Sequence, residues 1–180
     1  MKVLSEELPG LLLIQPNVFE DDRGYFYESF NQKQLEKLGI LKPFVQDNQS
    51  LSNKGVLRGL HFQNPPMAQG KLVRVVKGAV FDVAVDIRKD SPTYGQHYGV
   101  ELNEANKLML WVPPGFAHGF CTLEDETVFS YKCTNYYDPT QEGGILWNDH
   151  SLGIDWNIEN PTLSAKDKIN TTFDSFNSPF

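Results

Sequence analysis

The chain lacks the features that would commit it to a membrane, a metal or an oxidising compartment. Only two of its 180 residues are cysteine, Cys121 and Cys133. They stand 12 positions apart in apolar surroundings, without the paired spacing of a metal site. A disulfide between them stays open, but buried core thiols are the expected state. No basic-then-apolar leader opens the chain. The apolar run from Leu11 to Ile14 has 4 residues, far below the ~20 needed to span a bilayer. The expected compartment is the cytosol, with no membrane partner. Positive charge is scarce: 16 Lys and Arg stand against 23 Asp and Glu, for a formal net charge of -7. This argues against a nucleic-acid polymer as partner, because such binding needs clustered cations. One small phosphorylated molecule is not excluded, since a local arginine or lysine can oppose the global sign. The Gly-rich fingerprint of dinucleotide-binding folds is missing. Histidine occurs 4 times, with no His-x-His pair and no carboxylate closing a compact ligand run after His61. His61 and His118 can share a metal only if residues such as Glu101 or Glu124 join them, so no metal is expected.

Aromatic and sheet-forming sequence is what the chain has in quantity. Hydrophobic residues make up 40% and charged residues 22%, ordinary for a soluble globular protein. The length suffices for a full core within one domain, residues 1–180. With 12 Phe and 7 Tyr, the composition favours sheet and supplies faces for stacking on a ring. Strands are expected over 11–19 (broken at Pro16), 25–30, 44–47, 56–62, 71–76, 79–87, 98–102, 108–112, 116–123 and 127–134. A helix is expected over 31–38, capped by Asn31 and stopped by Gly39. Beyond Asp138 and Pro139 the chain reads as loop, with a second short helix near Ser164. About nine or ten short strands with little helix between them argue a sandwich or barrel, and a jelly roll leads.

Several residues stand out against this background. In 79–87, Phe81, Val83, Val85 and Ile87 point one way and Val80, Asp82, Ala84 and Asp86 the other. That second face meets either solvent or a polar cavity. His61 ends an apolar strand that also holds Arg58, which needs solvent or an anion there. Gly59 between them permits close approach of a ligand, or marks a bulge. His118 follows a Pro113-Pro114-Gly115 bend, and strand parity offers Asp82 as its acidic partner. Each histidine can equally be a core residue satisfied by a carbonyl. Lys71 opens a strand and is either a solvated end or an ammonium aimed at a cavity. Tyr131 becomes chemically interesting only opposite a base. Tyr136 and Tyr137 can form a rim. Asp167 can cap a helix or orient His61.

The order of these pieces resembles the dTDP-4-dehydrorhamnose 3,5-epimerases over roughly residues 5–170. The segments that carry the resemblance are Phe19 with Asp22-Arg23-Gly24, Glu28-Ser29-Phe30, Phe44 to Asn48, Val56 to Gln63, Gln69 to Gly95, Trp111-Val112-Pro113, Gly115 to Phe120, Ile145 to Asp149 and Leu163 to Asp167. The resemblance implies an all-β jelly-roll barrel of the cupin type with short peripheral helices, acting as a homodimer without metal or organic cofactor. It implies inversion at C3 and C5 of dTDP-4-dehydro-6-deoxy-D-glucose, giving dTDP-4-dehydro-L-rhamnose. His61 is then the base, Asp167 its orienting partner and Tyr131 the acid. Lys71 steadies the enolate oxygen, and His118 with Asp82 behind it lies nearby. Arg58 and Arg23 correspond to pyrophosphate or nucleotide contacts. Phe19, Phe26, Glu28, Gln46, Asn48, Tyr136 and Glu142 correspond to the remaining substrate contacts. Part of the N-terminal segment is expected to serve the neighbouring subunit, with Arg23 and Glu28 as candidates. Residues 170–180 carry little of the resemblance and are expected to be mobile. A single-position epimerase and a non-catalytic sugar-binding barrel remain as alternatives.

Overall fold

A computed structural model describes all 180 residues. In chain order its elements are β1 (Lys2–Leu8), β2 (Leu11–Gln15), β3 (Phe19–Asp21), β4 (Gly24–Phe26), α1 (Gln32–Lys37), β5 (Gln46–Ser52), β6 (Leu57–Gln63) and β7 (Lys71–Lys77). Then follow β8 (Ala79–Asp86), β9 (His97–Asn103), β10 (Met109–Val112), β11 (Phe116–Thr122), β12 (Thr127–Cys133), β13 (Glu142–Gly144) and one 3-10 turn, Phe173–Ser175. The order β1-β2-β10-β7-β12-β5 makes a 6-stranded sheet, and β13-β6-β11-β8-β9 a 5-stranded one. Two antiparallel sheets facing each other form the expected jelly roll. A separate hairpin, β3–β4, stands outside both.

Period-two alternation divides the side chains between three cores. Val73 and Val75 of β7, Val80 and Ala84 of β8, Phe120 and Phe129 meet between the sheets. Phe120 and Phe129 stack with ring centroids 4.1 Å apart. Fully burying such a side chain stabilises by about 1.5–3 kcal/mol. The opposite face of β8, with Val83, Val85 and Ile87, packs outward against Ile145, Leu152 and Trp156. Leu72, Met109 and Trp111 of the other sheet are covered by Leu35 and Ile40 from α1 and its exit. Each sheet therefore packs apolar side chains on part of its outer face as well as on its inner one. The helix starts where expected: Asn31 Oδ1 accepts from the Gln34 amide at 3.2 Å, and Gly39 follows at φ 87°.

Several expectations need correction. β1 precedes the first expected strand; its side chains are largely exposed at the sheet edge, so it shows no buried stripe to read. The strand expected over 25–30 ends at Phe26, and the strand expected over 44–47 lies instead at β5, Gln46–Ser52. A short β13 lies inside the expected loop. No helix forms near Ser164, where the chain makes a turn. Residues 170–180 are packed: Phe173, Phe176 and Phe180 lie on the outer core of the 5-stranded sheet.

Asp86 shows why β8 ends where it does. Its face was expected to meet solvent or a polar cavity. Instead, the fully buried carboxylate is the hub of the following turn. It accepts from Arg88 Nη2, Ser91 Oγ and Thr93 Oγ1, each at 2.6 Å. Burial alone would raise its pKa. The bonds from Arg88, Ser91 and Thr93 prevail and lower it to about 2 from 3.8. A depressed carboxylate contributes stability that is present above the unfolded pKa and lost as pH falls through the folded one, here on the order of 2 kcal/mol. Asp86→Asn is therefore expected to lower stability at neutral pH by that order. The gap to the wild type should close between pH 4 and pH 2, as read by denaturant titration at each pH; a gap independent of pH in that window would refute the assignment.

Candidate active site

The centre of the site is the ladder between β6 and β11, where His61 and His118 are direct cross-strand partners. Phe120 pairs with Arg58, so β6 carries one extra residue in this stretch. This β-bulge explains how Arg58 and His61, three positions apart, both face one cavity instead of opposite sides of the sheet. Gly59 makes the bulge possible: its φ is 148°, and a Cβ there would lie 2.6 Å from Gly119 Cα. Of the two readings open for Gly59, the structure favours the bulge.

Arg58, His61 and His118 reach the cavity from the 5-stranded sheet, while Lys71 and Tyr131 reach it from β7 and β12 of the facing sheet. The cavity holds about 400 Å³ and has Phe129 in its wall. A contiguous recess of about 220 Å³ shares His61, Lys71 and Tyr131 and adds Gln46, Asn48, Tyr137 and Glu142. The fold thus sets an imidazole and a phenol on opposite walls of one space.

Each histidine has its own carboxylate. His61 Nε2 meets Asp167 Oδ1 at 2.6 Å, leaving Nδ1 as the nitrogen able to take a proton. Asp167 is buried, and Ser164 Oγ donates to its Oδ2 at 2.8 Å. Burial works to raise the Asp167 pKa, but the hydrogen bond and charge of His61, with Ser164, hold it below the usual carboxylate value. His118 Nε2 lies 2.9 and 3.0 Å from the two Asp82 oxygens. Asp82 is fully buried behind His118 and is not in the cavity wall. Each histidine of the cavity is thus tied to its own carboxylate, and no group of three or more His, Cys, Asp or Glu is arranged to hold a metal.

The facing wall is electrostatically distinct. Burial pulls the Lys71 ammonium below its ordinary pKa, opposed by Cys133, Asp82 and Glu142. Burial pushes the Tyr131 phenol up, Cys133 adds to this, and Arg58 opposes it. The phenol thus keeps its proton through the neutral range. Both cysteines are buried free thiols, and Cys133 Sγ accepts from Asn48 Nδ2 at 3.6 Å. Arg58 reaches Ser52 Oγ at 3.1 Å along the cavity edge.

The structure brings together His61, Tyr131, Asp167, Lys71, His118, Asp82, Gln46, Asn48, Arg58 and Glu142. It does not bring Phe19, Arg23, Phe26 and Glu28 to this cavity. Phe19 and Phe26 are 64% and 66% exposed on the β3–β4 hairpin, and Arg23 there pairs only with Asp21. Glu28 accepts from Asn31 Nδ2 at 2.8 Å at the start of α1. Tyr136 is exposed, and its neighbour Tyr137 takes the wall position, donating to Glu142 Oε2 at 3.2 Å. Ser50, Gln63, Gln69 and Ser164 also line the site; the sequence marks none of them as a site residue, and Ser164 only as the start of a helix. A signal for the first was present: Gln46, Asn48, Ser50 and Ser52 alternate with exposed Asp47, Gln49 and Leu51, as one polar inward face of a strand requires.

Comparison with known proteins finds similarity along nearly the whole chain. The sequence profile of the dTDP-4-dehydrorhamnose 3,5-epimerase family matches residues 5–175. The dTDP-4-dehydrorhamnose 3,5-epimerase of Shigella flexneri is 59% identical over 168 residues, 93% of either chain. The crystal structure of the Bacillus anthracis enzyme with TDP and PPi bound superposes with a TM-score of 0.94 at 49% identity, covering 96% of this chain and 99% of that one. The Legionella pneumophila epimerase in complex with dTDP-4-keto-L-rhamnose also gives 0.94 at 49% identity, covering 98% and 94%.

Proposed function

Since this chain belongs to the dTDP-4-dehydrorhamnose 3,5-epimerase family, we infer that it inverts C3 and C5 of dTDP-4-dehydro-6-deoxy-D-glucose to give dTDP-4-dehydro-L-rhamnose. The observation that carries this reading is the Asp167-held His61 on one wall of the cavity, with Tyr131 and Lys71 on the other. The protons at C3 and C5 flank the same ketone. Removing either leaves an electron pair that delocalises onto O4 as an enolate. His61 accepts the proton on one face, and Asp167 favours the resulting imidazolium. Lys71 and His118 stabilise the charge on O4. Tyr131 donates its proton to the opposite face, which inverts the carbon. No electrons leave the sugar, and this set of groups needs neither a metal nor an organic cofactor.

The remaining assignments follow the shape of the site. Arg58, at the cavity edge, suits the pyrophosphate. Gln46, Asn48 and Glu142 suit the sugar and nucleotide in the adjoining recess, and Tyr136 suits its outer rim. Residues 1–180 act as one epimerase domain in a homodimer, in which Phe19, Arg23, Phe26 and Glu28 complete the neighbouring subunit's pocket. The exposure of Phe19, Tyr25 and Phe26 on one short hairpin supports this, since monomers seldom leave clustered aromatics in water. Two free thiols suit the reducing cytosol, where we place the reaction. No helix is long and apolar enough to cross a membrane.

Product analysis in D2O tests the reading. Deuterium is expected at both C3 and C5 of the product. Incorporation at one carbon alone would assign the chain to the single-position epimerases, and incorporation at neither would leave a sugar-binding barrel.

A further inference from the structure

We propose that Tyr25, Tyr27, Arg74 and Lys107 are positioning residues that aim the β3–β4 hairpin of one subunit at the sugar pocket of the other. The inference rests on the intersubunit role given above to Phe19, Arg23, Phe26 and Glu28, and adds what holds them in place. The hairpin has strands of 3 residues and pairs with neither sheet. A lone two-stranded hairpin is marginal in water, so its direction has to come from outside its own ladder. Its register gives it two unlike faces. Phe19 is the direct partner of Phe26, and Glu20 of Tyr25. Alternation then puts Phe19 and Phe26 on one face and Tyr25 on the other. Both phenylalanines are left open to water, while Tyr25 is tied to its own subunit.

Two contacts make that tie. Lys107 Nζ sits over the Tyr25 ring, 4.4 Å from its centroid. Lys107 is itself held: it has φ 54° in the turn between β9 and β10, where Asn106 Oδ1 accepts from the Asn103 and Leu108 amides at 3.1 and 3.0 Å. Its ammonium also donates to the Ala105 carbonyl at 3.3 Å. On the inner side, Tyr25 stacks on Tyr27, with centroids 6.0 Å apart and planes at 29°. Tyr27, just past β4, is half-buried against the outer core of Leu72, Met109 and Trp111. Its Oη accepts from Arg74 Nη1 at 3.1 Å, the only hydrogen bond that this guanidinium makes within the chain. A line of contacts thus runs from Arg74 on β7 through both tyrosines to Lys107. None of the four residues lines the sugar cavity or its recess, so they can reach the chemistry only by placing the hairpin.

Mixed dimers test the direction of the effect. Two differently tagged full-length chains are co-expressed, and one carries His61→Ala, so each mixed dimer has a single working pocket. Lys107→Met removes the cation and Tyr27→Phe removes the acceptor of Arg74, each with little change of bulk. Placed on the His61→Ala chain, whose hairpin serves the working pocket, either is expected to raise KM several-fold. The value of kcat should change little, because the hairpin residues are assigned to binding and not to proton transfer. Placed on the working chain, whose hairpin serves the dead pocket, either is expected to leave KM at the wild-type value. Lys107→Arg keeps a cation over the ring and should leave KM unchanged in both placements. The proposal is overturned if neither variant raises KM from the His61→Ala chain, if the rise is equal in both placements, or if Lys107→Arg behaves like Lys107→Met. A rise confined to the working chain also overturns it, and would mean that these residues support their own cavity, since Arg74 pairs with Ser130 next to Tyr131. Arg23→Ala in the same two placements checks the premise separately. A rise in KM from the His61→Ala chain alone upholds the shared pocket whatever the other variants do. A rise from the working chain alone, or from neither, overturns the shared pocket and the proposal together.

Discussion

Replacing His61 by alanine is expected to lower kcat by about 100- to 10,000-fold, the usual contribution of a positioned general base. The fold should survive. His61 sits on β6, but its ring is 32% exposed and projects into the cavity, not into a packed core. The cost to stability falls on Asp167, 2% exposed, which loses its 2.6 Å partner and keeps only Ser164. Removing one hydrogen bond to a buried charge costs about 1.5–3 kcal/mol. The sign of the pH dependence follows from the lowered Asp167 pKa. Its contribution is present above the unfolded carboxylate value and lost as pH falls through the folded one, so the variant should be most penalised near neutrality and least in acid. Steady-state kinetics, with thermal unfolding at two pH values, separates the chemical loss from the structural one. Full turnover in a folded His61→Ala protein would remove His61 from the base role.

How far the sequence discloses this site depends on which contacts are local. The alternation through β8 placed Asp82 on the inner face and made it the partner of His118, because a strand has a fixed period of two and both residues lie well inside their strands. The Asn31 cap was readable for the same reason: its bond spans three residues. Arg58 and His61 defeat the simple count. Three residues apart, they share a cavity only because the ladder slips at Gly59, and a glycine alone does not distinguish a bulge from close ligand approach. The contact between Asp167 and His61 spans 106 residues and depends on a turn, so the residues alone offer it as one of two readings and only the family resemblance selects it. Around Ser164 the local signal was sound in its bonds, since the Asp167 amide donates to Ser164 Oγ at 3.2 Å, yet the same capping bond closes a turn instead of opening a helix. The Phe-rich tail lacked any periodicity. Its order comes from the outer face of the 5-stranded sheet, apolar surface that a strand pattern marks as buried without naming what covers it.

Tyr131→Phe should separate two steps that His61→Ala abolishes together. Phenylalanine keeps the ring beside Phe129, whose centroid lies 6.0 Å away, and removes only the donor. Inversion is expected to fall by about 100- to 10,000-fold, as for loss of a general acid. Proton removal by His61 should continue, so substrate recovered from D2O should still gain deuterium with unchanged configuration. Loss of both exchange and inversion would mean that the phenol supports enolate formation itself and is more than the opposite-face acid. The alkaline limb supplies a second check. Burial raises the Tyr131 phenol above its ordinary value of 10.0 and lowers the Lys71 ammonium below 10.5. Burial thus moves the discharge of Lys71 toward neutrality and the ionisation of Tyr131 away from it, so failing enolate stabilisation is expected to shape the alkaline limb. The exchange reaction of Tyr131→Phe should then keep the wild-type alkaline limb, because that limb reports Lys71. Disappearance of the limb in the variant would assign it to the phenol, and would require that the cavity hold Lys71 charged to higher pH than Tyr131 stays protonated.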